Sequence, residues 1–233
     1  MRILSIIVFS IISFNFLSER SIHNRWSIEL LKFVNENGQV DYVNWSKNRV
    51  GLDAYISTLK KNHPKPHWTK NQIMSYWINA YNALTIKIIL DNYPVSSIKE
   101  IKNPWSKKII NYDSNTYSLD DIEHSILRKM GDPRIHFAIN CASISCPKLL
   151  NTAYLPHKID YQLDKAASYF INNTDKNKIT KNEVIISKIF FWFKKDFGNK
   201  NQLLNFINKY KKLKNPNPKI KYHSYNWNLN IIQ

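Results

Sequence analysis

Glycine is scarce in this chain, with four among 233 residues. So few leave no Gly-rich phosphate loop, and neither a G-x-S-x-G elbow nor an H-E-x-x-H helix is present, which disfavours nucleotide enzymes, common serine hydrolases and zincins. Arginine is nearly as scarce. It occurs only at positions 2, 20, 25, 49, 128 and 134, although the formal net charge is +17. Base readout favours the arginine fork, and the lysines are spread along the whole chain, so nucleic acid is not the expected partner. An anionic cell surface or wall polymer fits the charge better. Linkers, internal repeats and low-complexity segments are also missing. With 43% hydrophobic residues, one domain with a sizeable core is expected over residues 21–233.

The beginning of the chain lacks a small-residue cleavage pattern. Met1-Arg2 and the apolar run Ile3 to Leu17 have the layout of a signal peptide, but Asn15-Phe16-Leu17-Ser18-Glu19 contains no A-x-A. Residues 1–20 are therefore read as a signal peptide or as an uncleaved N-terminal anchor. The run is too short and too interrupted for a membrane span. Export to a periplasmic or extracellular, disulfide-permissive space is expected, together with association with a membrane or an anionic surface.

Only two cysteines are present, and both fall with a histidine in the fourteen residues Arg134 to Pro147. Ile135 to Cys141 alternates around β-branched and aromatic residues after Asp132-Pro133, so it reads as a strand entering the core. Period 2 places Arg134, His136, Ala138 and Asn140 on one face and Ile135, Phe137, Ile139 and Cys141 on the other. Ala142 to Pro147 then reads as a turn at the strand exit.

The remaining elements follow from periodicity and caps. Ser21 to Asn37 is an amphipathic helix stopped by Gly38, Val40 to Val43 is a short extended piece, and Arg49 to Lys60 is helical up to the Pro64/Pro66 pair. Thr69-Lys70-Asn71-Gln72 is a capping box. The helix it opens is apolar almost all round and so is buried. It nevertheless carries Asn79 and Asn82, which must tie down loops or face a site. Lys108 to Ser118 is a hairpin, and Ser118 to Asp121 opens a helix that ends at Gly131. Pro156 to Asn172 is helical, Glu183 to Ile186 is a strand, and Ile189 to Gly198 is an aromatic wall whose lone carboxylate is Asp196. Gln202 to Lys212 is the last helix before an extended Tyr/Trp-rich tail. This gives an α+β fold, helix-rich with a small mixed sheet, for which a papain- or transglutaminase-like layout is an analogy.

Several motifs, taken in order, point to one family. Asp41-Tyr42, Trp77-Ile78-Asn79-Ala80-Tyr81-Asn82-Ala83, Ser118 to His124, Asp132 to Ala138, Asn140-Cys141 with Ser145-Cys146-Pro147, Trp192 to Gly198 and Tyr225 to Asn230 together resemble the domain of unknown function family number 547. The family pattern has Asp where this chain has Asn226. The resemblance implies a domain type and a focus of residues, not a reaction.

Three chemistries compete at the cysteines. In the first, Cys141 is a nucleophile with His124 or His136 as base and Glu123 or Asn79 orienting the imidazole. Backbone N–H groups of the following turn would hold the oxyanion. The odd spacing of His136 and Cys141 across a strand makes His124 the better base. Arg134, Asn82, Asn140 and Asp196 would then bind substrate. In the second, Cys141 and Cys146 form a disulfide that clamps the turn. In the third, His136, Cys141 and Cys146 hold a metal, although their spacing is not a usual zinc spacing. The leading expectation is a thiol-dependent hydrolase or acyltransferase acting on an amide or ester at the cell envelope, as a monomer without a cofactor. Its substrate would be an envelope polymer, a peptide or a small molecule. The alternative is a non-catalytic envelope binding module. His23, His63, His67, His157 and His223 are expected to be surface groups.

Overall fold

The structure, a computed structural model, describes residues 22–112, 114–181 and 183–232. The leader-like residues 1–20 lie outside them. Among the described residues no helix is long and apolar enough to cross a membrane.

The fold is helix-rich α+β. Helix α1 (Asn24–Phe33) buries Trp26, Leu30 and Phe33. It stops earlier than Gly38. That glycine instead takes φ 79° in a tight turn, which brings Val34 opposite Val40 as an antiparallel bridge. A Cβ there would come within 2.9 Å of the Leu149 backbone nitrogen, so the position needs glycine twice over. Asp41 caps α2 (Tyr42–Lys47), which replaces most of the expected extended piece, and α3 (Val50–Lys61) follows.

Helix α4 (Lys70–Asp91) opens on the Thr69–Gln72 capping box and is buried along nearly its whole length. It packs against α2, α3, the π-helical turn Asp121–Leu127 and α5 (Ile159–Asn172). Burial on all sides explains why it shows no polar face. The hairpin β1 (Ile110–Tyr112) and β2 (Asn115–Tyr117) closes over its Tyr76 and Trp77 rings.

The second sheet holds β3 (Lys178–Ile179), β4 (Glu183–Ile186) and β5 (Lys219–Tyr222). The β3–β4 pair is antiparallel and the β4–β5 pair parallel, so the sheet is small and mixed. Val184 and Ile186 point inward, and they share a second core with Phe137, Phe170, Phe190 and Phe197. Two single-turn helices, α6 (Ile189–Trp192) and α7 (Lys194–Phe197), form its aromatic wall ahead of α8 (Lys200–Tyr210). The tail then returns across the molecule. Ile144 N–H donates to the Asn228 carbonyl at 2.8 Å, and Leu229 bridges Ser143, which puts Tyr225 and Trp227 beside the cysteine loop.

Candidate active site

The segment expected to be the central strand is not a strand. Asp132 accepts the Arg134 N–H at 3.0 Å and Pro133 takes the first helical position, so Pro133–Phe137 winds into a 3₁₀ turn. Ile135, His136, Phe137 and Ala138 are all buried, so the alternation sorts nothing into an inner and an outer face. With the strand goes the argument that parted His136 from Cys141.

Beyond this turn the chain is irregular yet buried, and amide side chains carry its hydrogen bonds. Asn82 donates to the Ala138 carbonyl at 3.0 Å and accepts the Asn140 N–H at 2.9 Å. Asn140 in turn donates to the Pro147 carbonyl and accepts the Ala142 N–H, each at 2.7 Å. Asn79 closes the same pair of bonds with the Tyr154 backbone. These three amides tie down loops and do not orient an imidazole. The relay also holds Ala142 in the left-handed region at φ 60°, next to Cys141.

Cys141 and Cys146 are joined as a disulfide across five positions, with Cα atoms 6.2 Å apart. Cys146 is buried, whereas Cys141 is partly exposed. The bridge lines a cavity of about 110 Å³ walled by Tyr81, Glu123, His136 and a group of aromatic rings. The Tyr225 hydroxyl lies 3.3 Å from each sulfur. Burial pushes that phenol's pKa up, so it stays protonated as a donor.

His136 is 2% exposed and stacks on Phe193 with ring centroids 4.0 Å apart. Its Nε2 sits 2.7 Å from Asp196 Oδ2. Asp196 also receives a two-pronged contact from Arg128, at 2.7 and 2.9 Å. Burial alone would raise the Asp196 pKa, but His136 and Arg128 more than reverse this and hold it below the carboxylate range. Burial lowers the His136 pKa despite that neighbour, so the imidazole is neutral near pH 7. An ionised Asp196 can only accept, which places the single ring proton on Nε2 and leaves a lone pair on Nδ1. That Nδ1 is buried and has no hydrogen-bond partner among the described residues.

Glu123 and His124 lie on the π-helical turn Asp121–Leu127, a form often found at functional sites. Glu123 enters the cavity and accepts from Tyr81 at 3.1 Å, and burial pushes its pKa up to about 7. It touches neither histidine as an orienter; Asp196 has that place. His124 points elsewhere. Its side chain is 45% exposed and its Nδ1 accepts from Arg128 at 3.1 Å, so it is not the better-placed base. Arg134 is spent on Asp132, Asp160 and Asp164 and does not line the cavity. Sulfurs bonded to each other offer no thiolate, and no group of three or more His, Cys, Asp or Glu side chains among the described residues could hold a metal. Asn226 caps the tail through its side-chain oxygen, which accepts the Asn228 N–H at 3.0 Å, a role Asp would fill equally. His23 is not a surface group but is buried, 2.7 Å from the Tyr55 hydroxyl.

Sequence reasoning gave no site role to Tyr81, Arg128, Trp105 or Tyr225, although Tyr81 and Tyr225 fall in the motifs that carry the resemblance. The pairings that place Arg128 and Tyr225 span 68 and 84 positions and leave no local signal. Comparison with curated proteins and with solved structures gives no match. Residues 66–171, which carry Asn79, Asn82, Glu123, His136 and both cysteines, match the model of the family described as Protein of unknown function, DUF547, and this is the family that the chain's motifs resemble.

Proposed function

We propose that this chain is a thiol-dependent hydrolase or acyltransferase acting on an amide or ester at the cell envelope. Cys141 is the nucleophile, His136 the base and Asp196 its orienting partner, and the Cys141–Cys146 disulfide is the stored, inactive form. The observation that carries this reading is the unpartnered Nδ1 of His136, a residue that lines the same cavity as Cys141, with Nε2 already committed to Asp196. Once an external dithiol reduces the bridge, the Cys141 thiol can pass its proton to Nδ1. Its sulfur then attacks the substrate carbonyl carbon. The departing amine or alcohol takes the proton back, and water or a second acceptor releases the thioester. The turn's amides at Ala142, Ile144, Ser145 and Cys146 are already hydrogen-bonded. Tyr225 is the better oxyanion donor in this scheme.

The disulfide itself supports a second reading, a binding module that keeps the bridge permanently. Alkylation kinetics separate the two. Closing so short a loop contributes about 2 kcal/mol on chain-entropy grounds, so the reduced protein should stay folded, as urea unfolding with and without reductant will register. Native protein should resist iodoacetamide and, once reduced, react first at Cys141 with an apparent pKa below the free-thiol value of about 8.5. His136→Ala should slow that reaction about tenfold at neutral pH. A reduced Cys141 that titrates like a free thiol, and is indifferent to His136→Ala, would leave only the binding module.

A further inference from the structure

The walls of the cavity include Trp105, Trp192, Tyr225 and Trp227, and these rings touch one another. Trp192 and Tyr225 have centroids 4.8 Å apart, Tyr225 and Trp227 4.6 Å, and Trp105 and Trp227 5.7 Å. Into this aromatic enclosure comes one carboxyl group, that of Glu123, which is 8% exposed. Its only hydrogen bond among the described residues is the one from Tyr81. Among the described residues no cation makes an ion pair with it, and the Arg128 guanidinium reaches it only through space. Arg128, on the same stretch, is held two-pronged by Asp196. The neutral His136 brings no positive charge, and Lys99 lies over the Trp227 ring at 5.6 Å. Electron-rich ring faces with one unpaired carboxylate are the chemistry that recognises an organic cation. By the share of liquid volume that a water takes, about 110 Å³ is room for three to four waters. That fits the head of an amine chain rather than a whole substrate.

We infer that this aromatic cavity is a binding site for a small alkylammonium group, with the Glu123 carboxylate as its counter-charge. The net charge of +17 does not forbid it. Surface charges are screened over about 8 Å at physiological salt, whereas the carboxylate acts at contact. That the ammonium belongs to the amine side of the amide rests on the thiol reading. The binding does not, since it needs no free sulfur.

The test is calorimetric titration of the oxidised, full chain with tetramethylammonium and with methylammonium, using neutral tert-butanol as the control of similar shape. Both cations should bind at least tenfold more tightly than the alcohol. Affinity should rise between pH 6 and pH 8, as Glu123 ionises among Tyr81, Asp120, Arg128, His136, Asp196 and Tyr225. Glu123→Gln should weaken binding about tenfold, and Trp192→Ala roughly threefold to tenfold. Trp192 is 42% exposed, so its loss spares the fold and provides a readout even if Glu123→Gln misfolds. The titration is run on the oxidised chain without reductant, where no free sulfur exists, and this keeps the result apart from the fate of the thiol mechanism. Equal affinity for tert-butanol, indifference to both cavity variants, or no saturable binding of the cations overturns the assignment.

Discussion

Asn82→Leu is expected to lower the free energy of unfolding by about 3–4 kcal/mol, the cost of stranding two buried backbone groups. A leucine fills much the same volume and is no less apolar than its neighbours on α4. It can neither donate to the Ala138 carbonyl nor accept the Asn140 N–H. Neither group has a strand or helix partner to fall back on, because the chain from Ala138 to Pro147 forms no ladder. The damage also passes along the relay, since Asn140 positions both the Ala142 N–H and the Pro147 carbonyl through its own side chain. Urea unfolding followed by far-UV circular dichroism measures the loss. A destabilisation under about 1 kcal/mol would mean that other groups satisfy the two backbone atoms, and that the amide relay does not hold the loop. Cys141 alkylation after reduction should lose its selectivity in the same variant, because the loop that sets the thiol's surroundings is released.

That relay also marks how far the sequence could be read. The capping box at Thr69, the hairpin within Lys108 to Ser118 and the strand Glu183 to Ile186 all rest on local signals, and all are present. Ile135 to Cys141 failed for a definite reason. Alternation separates two environments only where one face meets solvent, and here both sides are buried. The local cap at Asp132-Pro133 was the better signal, and it favoured a helical turn. From that failure followed the preference for His124, since only a strand would part His136 from Cys141. Asp196 was legible as the lone carboxylate of an aromatic stretch, and its pairing with His136 was not. That contact joins residues 60 positions apart, and chain pattern carries no record of it. The amides Asn79 and Asn82 were legible as residues needing partners. Which loops supplied those partners was set by tertiary packing alone.

The second large effect concerns Glu123, whose carboxyl is pushed by burial from an ordinary 4.5 up to about 7. Between those values the folded chain holds a proton that the unfolded chain has released, so the native state binds more protons and unfolding becomes easier as pH rises. The contribution is fully present below about pH 4.5 and is lost as pH passes about 7, a swing of roughly 3 kcal/mol. Glu123→Gln keeps an acceptor for the Tyr81 hydroxyl and cannot ionise, so its stability should lack this decline. The wild-type curve alone would mislead. Burial lowers the pKa values of His23 and His136, so both favour the folded state increasingly as pH climbs toward 6.5, opposing Glu123. The depressed carboxyls Asp121 and Asp164 act only in the acid range, where their stabilisation is lost as pH falls toward about 2. The quantity to measure is therefore the difference between the variant and wild type, by urea unfolding at steps from pH 4.5 to about pH 8. It should grow by roughly 3 kcal/mol in favour of the variant, almost steadily between about pH 5 and about pH 7, and level off above. A constant difference would mean that Glu123 gives up its proton at the same pH in the folded and the unfolded chain, so that burial does not hold it.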